Sequence, residues 1–197
     1  MNKLKAVLVS LSLIIHWFAE LVGIRNGGYN TVTNIAGVAI NLALKGSFWY
    51  RRLSMQGVGA AATPKAIFII DGVDLNPSDM AGLIAHELTH VRQMREYGPF
   101  KFQLRYNRDI EFRINAELEA YRQQFISAVI HAEDNGILLS IEQVYCSLID
   151  YCFQLESVFG SIYGKELEAE TIAMAIFSDF FEDIKHFDWW LDYRYNC

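Results

Sequence analysis

The stretch KAIFIIDGVDLNPSDMAGLIAHELTHVRQMREYG, residues 65–98, is the most informative part of the sequence for the fold. Its first part is a short apolar run rich in β-branched residues, bounded by Pro64 and by the turn at Asp71. Such a run predicts a strand. Its second part predicts a long helix, because Asn76 stands at the N-cap position and Pro77 at the first helical position. The Tyr-Gly-Pro that follows would end this helix.

Outward from this unit, the sequence predicts mostly helices. Apolar periodicity and end signals place them at residues 4–24, 110–132, 141–159 and 163–186. Ser140 and Gln143 form a capping box for the third of these. Residues 33–46 are compatible with helix or buried strand, residues 47–53 have β-type composition, and residues 56–64 have the composition of a loop. A second loop, of about ten residues, is expected before residue 110.

Length, charge and cysteine content narrow the class of protein. A chain of 197 residues with 52% hydrophobic residues predicts one globular domain spanning residues 1–197. The net charge of −6 argues against a nucleic-acid binder, because phosphate affinity needs a basic surface. Cys146, Cys152 and Cys197 form no CxxC pair and no even framework, which favours a reducing compartment.

The N-terminal segment has two interpretations. Residues 6–19 are an uncharged run of 14, whereas a membrane span needs about 20 apolar residues. One interpretation is a packed or membrane-surface helix, with a cytoplasmic or assembly-associated protein. The other is a membrane anchor or an uncleaved signal, with membrane contact through this helix.

Residues 86–90, HELTH, carry two histidines four positions apart. On a helix such positions differ by about 40° around the axis and about 6 Å along it, so His86 and His90 can bind one ion. Glu87 lies about 100° round the helix from His86, where it can act as general base toward a metal-activated water. The motif therefore predicts a catalytic zinc whose third protein ligand lies elsewhere in the chain.

A second motif, NAELEAYR at residues 115–122, supplies a candidate for that ligand. HELTHVRQ and NAELEAYR together resemble the gluzincin zinc peptidases, and in particular small bacterial and phage-encoded members. In that family HExxH is followed, on a later helix, by a glutamate in an ExxA setting. The resemblance covers roughly residues 66–125 and implies that Glu117 is the third zinc ligand, with Ala120 the small residue one turn on. Many members have an acidic residue four positions after the glutamate, which braces a ligand histidine. Here that position is Tyr121.

Other side chains compete for the third position. Glu119 lies about 200° round the same helix from Glu117, so only one of the two can face the metal. Glu166 opens a second ELEA, but its charged flank is typical of a solvated first turn. His131 and His186 stand alone in the sequence and are expected to make local hydrogen bonds.

The resemblance implies a zincin-like α+β fold, mainly helical, with a small sheet next to the HExxH helix. It also implies a zinc-dependent metallopeptidase with a polypeptide substrate and one zinc ion per chain. The strand KAIFIID would then be a sheet edge that pairs with substrate, the alternative being a plain core strand. Tyr121, Tyr106 and Arg105 are candidates for stabilising the oxyanion.

Two other functions stay open. One is a non-catalytic structural or interaction protein of a larger assembly, such as a phage particle, that retains the zinc site. The other is a zinc amidase acting on cell-wall peptides. The presence of Glu87 favours catalysis, because a purely structural zinc site has no need of a general base.

Overall fold

A computed structural model of the protein describes residues 29–137, 140–164 and 166–182. These residues form a mostly helical α+β structure with one four-stranded sheet, which confirms the coarse fold class. The strands are β1 (Tyr29–Ile35), β2 (Val38–Ala43), β3 (Ala60–Ala62) and β4 (Ala66–Ile70). The helices are α1 (Phe48–Gln56), α2 (Pro77–Tyr97), α3 (Pro99–Arg108), α4 (Ile110–Asp134), α5 (Ile141–Val158) and α6 (Ala169–Glu182), with a π-helical turn at Phe159–Tyr163.

The sheet has the strand order β1-β2-β4-β3. β1 and β2 form an antiparallel hairpin whose two turn residues, Ala36 and Gly37, both have positive φ, as a tight hairpin turn requires. This hairpin shows that residues 33–43 of the ambiguous stretch form two strands and their turn, and not a helix. β4 pairs in parallel with β2 and antiparallel with β3, so it is an interior strand. The expectation that KAIFIID forms the sheet edge is therefore wrong.

Both faces of β4 are buried, which explains its uninterrupted apolar sequence. Ile67 and Ile69 belong to the cluster that packs against α2. Phe68 belongs to the cluster on the opposite face, where its ring stacks on Trp49 of α1 at a centroid distance of 4.0 Å. The sheet thus lies between α1 and α2.

The helix predicted at residues 163–186 begins only at Ala169. Three further segments differ from their predicted structure, each because tertiary packing or a cap outweighs composition. Residues 48–53 fall in helix α1, since Ser47 caps its start and Trp49 is buried on the sheet. Residues 56–64 include the short strand β3, whose alanines pair with β4. The expected loop before residue 110 is helix α3, with Pro99 at its first position.

The strongest end signals are confirmed. The Asn76 side chain accepts a hydrogen bond from the backbone of Asp79 at the start of α2, and Ser140 and Gln143 form the predicted capping box of α5. The predicted helix at 4–24 lies outside the described residues, as do His186 and Cys197. None of the helices in the described parts of the chain is long and apolar enough to cross a membrane.

Helices α2 and α4 pack closely against each other. Their backbones approach at Gly82, where a Cβ atom would lie 2.7 Å from the carbonyl oxygen of Gln124. Ala116 and Ala120 on α4 are also buried small residues. This close approach brings the two sequence motifs together.

Candidate metal centre

His86 and His90 lie one helical turn apart on α2, and Glu117 faces them from α4. The Nε2 atoms of the two histidines are 3.2 Å apart. Glu117 Oε2 lies 3.5 Å from His86 Nε2, and Glu117 Oε1 lies 3.4 Å from His90 Nε2. One ligand atom from each residue falls within 4.8 Å of the others. In the described part of the chain this is the one group of three such residues close enough to hold a metal ion.

The surroundings of this group suit a cation. Glu117 is 2% exposed and His86 is 7% exposed. Glu117 Oε2 has no hydrogen-bond partner among the described residues, although a buried acceptor normally has one. Two imidazole nitrogens and a carboxylate are also the donor set of known catalytic zinc sites. The residues present therefore fit a metal ion of the zinc type.

The competing glutamates lie elsewhere. Glu119 points away from the centre and forms an ion pair with Arg92, Nη2 to Oε1 2.5 Å. Glu166 is exposed and precedes α6. His131 makes the local contact expected of it, 3.2 Å from its Nδ1 atom to Asn135 Nδ2, and also lies 3.3 Å from the hydroxyl of Ser78.

Charge compensation holds Glu117 ionised. Burial alone would raise its pKa, but the charges of His90 and His86 outweigh burial and hold the pKa well below its usual range. For His90 the balance is reciprocal. Burial would lower its pKa, whereas the charge of Glu117 and its hydrogen bond raise it to about 9.

Glu87 is buried beside the two histidines without belonging to the group of three. Burial raises the pKa of its carboxyl group, and the charge of Glu117 adds to this, while His86 and His90 act in the opposite direction. A raised pKa brings a carboxylate closer to the range in which it can both accept and return a proton.

Tyrosines surround the centre. The Tyr106 hydroxyl donates a hydrogen bond to Glu117 Oε1, and the Tyr121 ring lies edge-on to His86 at a centroid distance of 4.6 Å. Tyr163, in the π-helical turn, hydrogen-bonds to Tyr121, and burial raises the pKa of both hydroxyl groups. The sequence does not predict that Tyr163 lies near the centre, since it is distant from both motifs along the chain.

Arg105 does not reach the centre. Its side chain is about half exposed, contacts Asp109 at 3.3 Å, and lies over the ring of Phe112. It is therefore not retained as a candidate for oxyanion stabilisation. Of the three candidates, only the tyrosines line the centre.

Comparison with known proteins gives no relative. Neither a protein-family model, nor a curated protein, nor a solved structure matches this chain.

Proposed function

We propose that the protein is a zinc-dependent metallopeptidase of gluzincin type with a zincin-like fold. His86, His90 and Glu117 would hold the zinc ion, and Glu87 would act as general base. The observation that carries this proposal is the convergence of the three ligand atoms within 4.8 Å, in a buried site that also contains Glu87. When bound, zinc polarises a carbonyl group and lowers the pKa of water.

Glu87 supplies the proton transfers. Its carboxylate takes a proton from the attacking water and passes it to the leaving amine, which requires one group that can both accept and donate. Tyr121 is our candidate for stabilising the developing oxyanion through its hydroxyl group. Its ring contacts His86, and the charges of Glu87 and Glu117 act on its hydroxyl.

The unpaired edge of the sheet at β3 is an argument for a peptide substrate. Gly59 and Thr63 form backbone hydrogen bonds with β4. In an antiparallel pair the bonded residues alternate, so the backbone N–H and C=O groups of Ala60 and Ala62 point away from β4, toward the open edge. No other strand among the described residues pairs with this edge. An extended peptide could add there as a further strand. β3 packs on α2, the helix that carries the histidines.

The test is a comparison of wild type with Glu87→Gln, both loaded with zinc. Glutamine keeps the shape and polarity of the side chain but cannot accept the proton. We expect zinc to be retained and the cleavage of a quenched-fluorescent peptide library to fall at least about a hundredfold.

The assay also separates the alternatives. Equal cleavage by both proteins would rule out Glu87 as the base. Zinc bound by a wild type that cleaves neither the library nor cell-wall peptides would indicate the structural or interaction protein. Cleavage of cell-wall peptides alone would indicate the amidase.

A further inference from the structure

The side chain of Gln93 connects the metal centre to the outer surface of α4. Gln93 lies three residues after His90 on α2 and is 3% exposed. Its Oε1 atom lies 2.9 Å from His90 Nδ1. Its Nε2 atom donates to the backbone oxygen of Ala116 at 3.1 Å and to Glu119 Oε2 at 2.6 Å.

These contacts fix the orientation of the amide. A backbone carbonyl and a carboxylate can only accept hydrogen bonds, so the group facing Ala116 and Glu119 must be the NH₂ group of Gln93. Its oxygen therefore faces His90. Because that oxygen is also only an acceptor, His90 Nδ1 must carry a proton.

A proton held on Nδ1 leaves Nε2 as the ligating atom of His90. A neutral imidazole has one protonated nitrogen and one with a free lone pair. His90 Nε2 is the nitrogen that faces His86 and Glu117. The two sides of the ring are thus assigned separate tasks, one toward Gln93 and the other toward the metal centre.

We propose that Gln93 is a positioning residue that keeps the Nδ1 proton of His90 in place, so that Nε2 is available to bind the metal. The hydrogen bonds of Gln93 with Glu119 and with His90 then fix the tautomer and orientation of the His90 ring, as a directly bonded carboxylate does in many metal sites. The inference rests on the metal site of the proposed function, but not on peptide hydrolysis.

His86 is held differently and provides an internal comparison. Its Nδ1 atom is buried without a hydrogen-bond partner among the described residues. Its ring instead contacts the ring of Tyr121. Loss of Gln93 should therefore alter His90 and leave the environment of His86 unchanged.

Zinc affinity provides the first measurement. Gln93→Met keeps the length and burial of the side chain but cannot accept from His90, so zinc affinity should fall about 10- to 100-fold, the usual effect of removing such a partner. Gln154→Met, the same substitution at an exposed position of α5, is the matched control, and its zinc affinity should change less than about threefold. Circular dichroism confirms that both variants are folded.

A spectroscopic measurement separates positioning from general destabilisation. In the cobalt- or zinc-loaded wild type, NMR should show His90 bound through Nε2, with an Nδ1 proton that exchanges slowly with water. In Gln93→Met this proton should exchange fast, while the signals of His86 stay in place. Assignment uses the loss of signals in His90→Ala.

The outcomes are distinct. A wild type that binds no metal overturns the proposed function and this inference with it. A wild type that binds zinc, with Gln93→Met equally tight, overturns the inference alone. Coordination of His90 through Nδ1 in the wild type overturns it without any variant, even where Gln93→Met does not fold.

Discussion

The buried charges of the candidate metal centre need compensation from one another. Glu117 is almost fully buried, and an isolated carboxylate there would be costly. The imidazoles of His86 and His90 face it from the neighbouring helix and lower the pKa of its carboxyl group. A hydrophobic core does not need such a group, and buried titratable clusters with shifted pKa values are typical of functional sites.

Glu117 should therefore be essential for metal binding. Glu117→Ala leaves two protein ligands, and zinc affinity should fall at least about a hundredfold, because a catalytic zinc site needs three. A competition titration with a chromogenic chelator measures this. Glu166→Ala is the control, and as an exposed residue it should leave the affinity within about threefold of wild type. A large loss of zinc affinity in Glu166→Ala with little loss in Glu117→Ala would instead identify Glu166 as the third ligand.

Cys152 should be inert at neutral pH. It is fully buried, and burial raises the pKa of its thiol to about 12. The neutral thiol is favoured in the fold, so this contribution to stability is fully present below about pH 8.5 and is lost as the pH rises toward 12. In a Cys197→Ser background at pH 8, a thiol reagent should modify the half-buried Cys146 first and Cys152 only after denaturation. Equal rates for both in the native protein would contradict the burial of Cys152.

Elements that begin or end at local signals could be predicted from the sequence, whereas elements that depend on tertiary contacts could not. The ends of α2 and α5 were predictable, because caps such as Asn76 and Ser140 act within one turn. α1, α3 and β3 were not, since they depend on tertiary contacts. These are Trp49 on Phe68 for α1, Phe102 on Phe112 for α3, and the pairing with β4 for β3. Similarly, HExxH is a local pattern, whereas the contact of Gln93 with α4 exists only once the two helices are packed.

Gly82 should be required for the packing of α2 on α4. Alanine favours a helix by about 1 kcal/mol over glycine. Its Cβ atom, however, would lie 2.7 Å from a backbone oxygen that cannot move aside without shifting the helix. We expect Gly82→Ala to be destabilising overall, by about 1–3 kcal/mol in urea unfolding, and to weaken zinc binding because α4 carries Glu117.

Gly160→Ala is the matched control for Gly82. A Cβ atom at this position meets no atom within 4 Å, and its φ is not positive. Its stability should stay within about 0.5 kcal/mol of wild type. A stable Gly82→Ala with unchanged zinc affinity would show that the helices can separate without disturbing the centre.

The candidate metal centre lies between two hydrophobic clusters of the molecule. One joins the sheet to α2 through residues such as Ile67 and Val91. The other joins α4 to α5 and α6 through residues such as Ile114, Leu148 and Ile172. His86 and His90 belong to the helix of the first cluster and Glu117 to the helix of the second. A metal ion bound by all three would therefore cross-link the two.

Zinc should accordingly stabilise the whole described structure and not only the site. Zinc at a hundred times its dissociation constant adds about 2.7 kcal/mol to the free energy of unfolding, provided that it binds only the folded chain. For a chain of this size that corresponds to a rise in Tm of about 5–10 °C. Scanning calorimetry should show this rise, its reversal by a chelator, and its absence in His90→Ala. A rise of the same size in His90→Ala would show that zinc binds elsewhere on the chain, because the cross-link between α2 and α4 needs ligands from both helices.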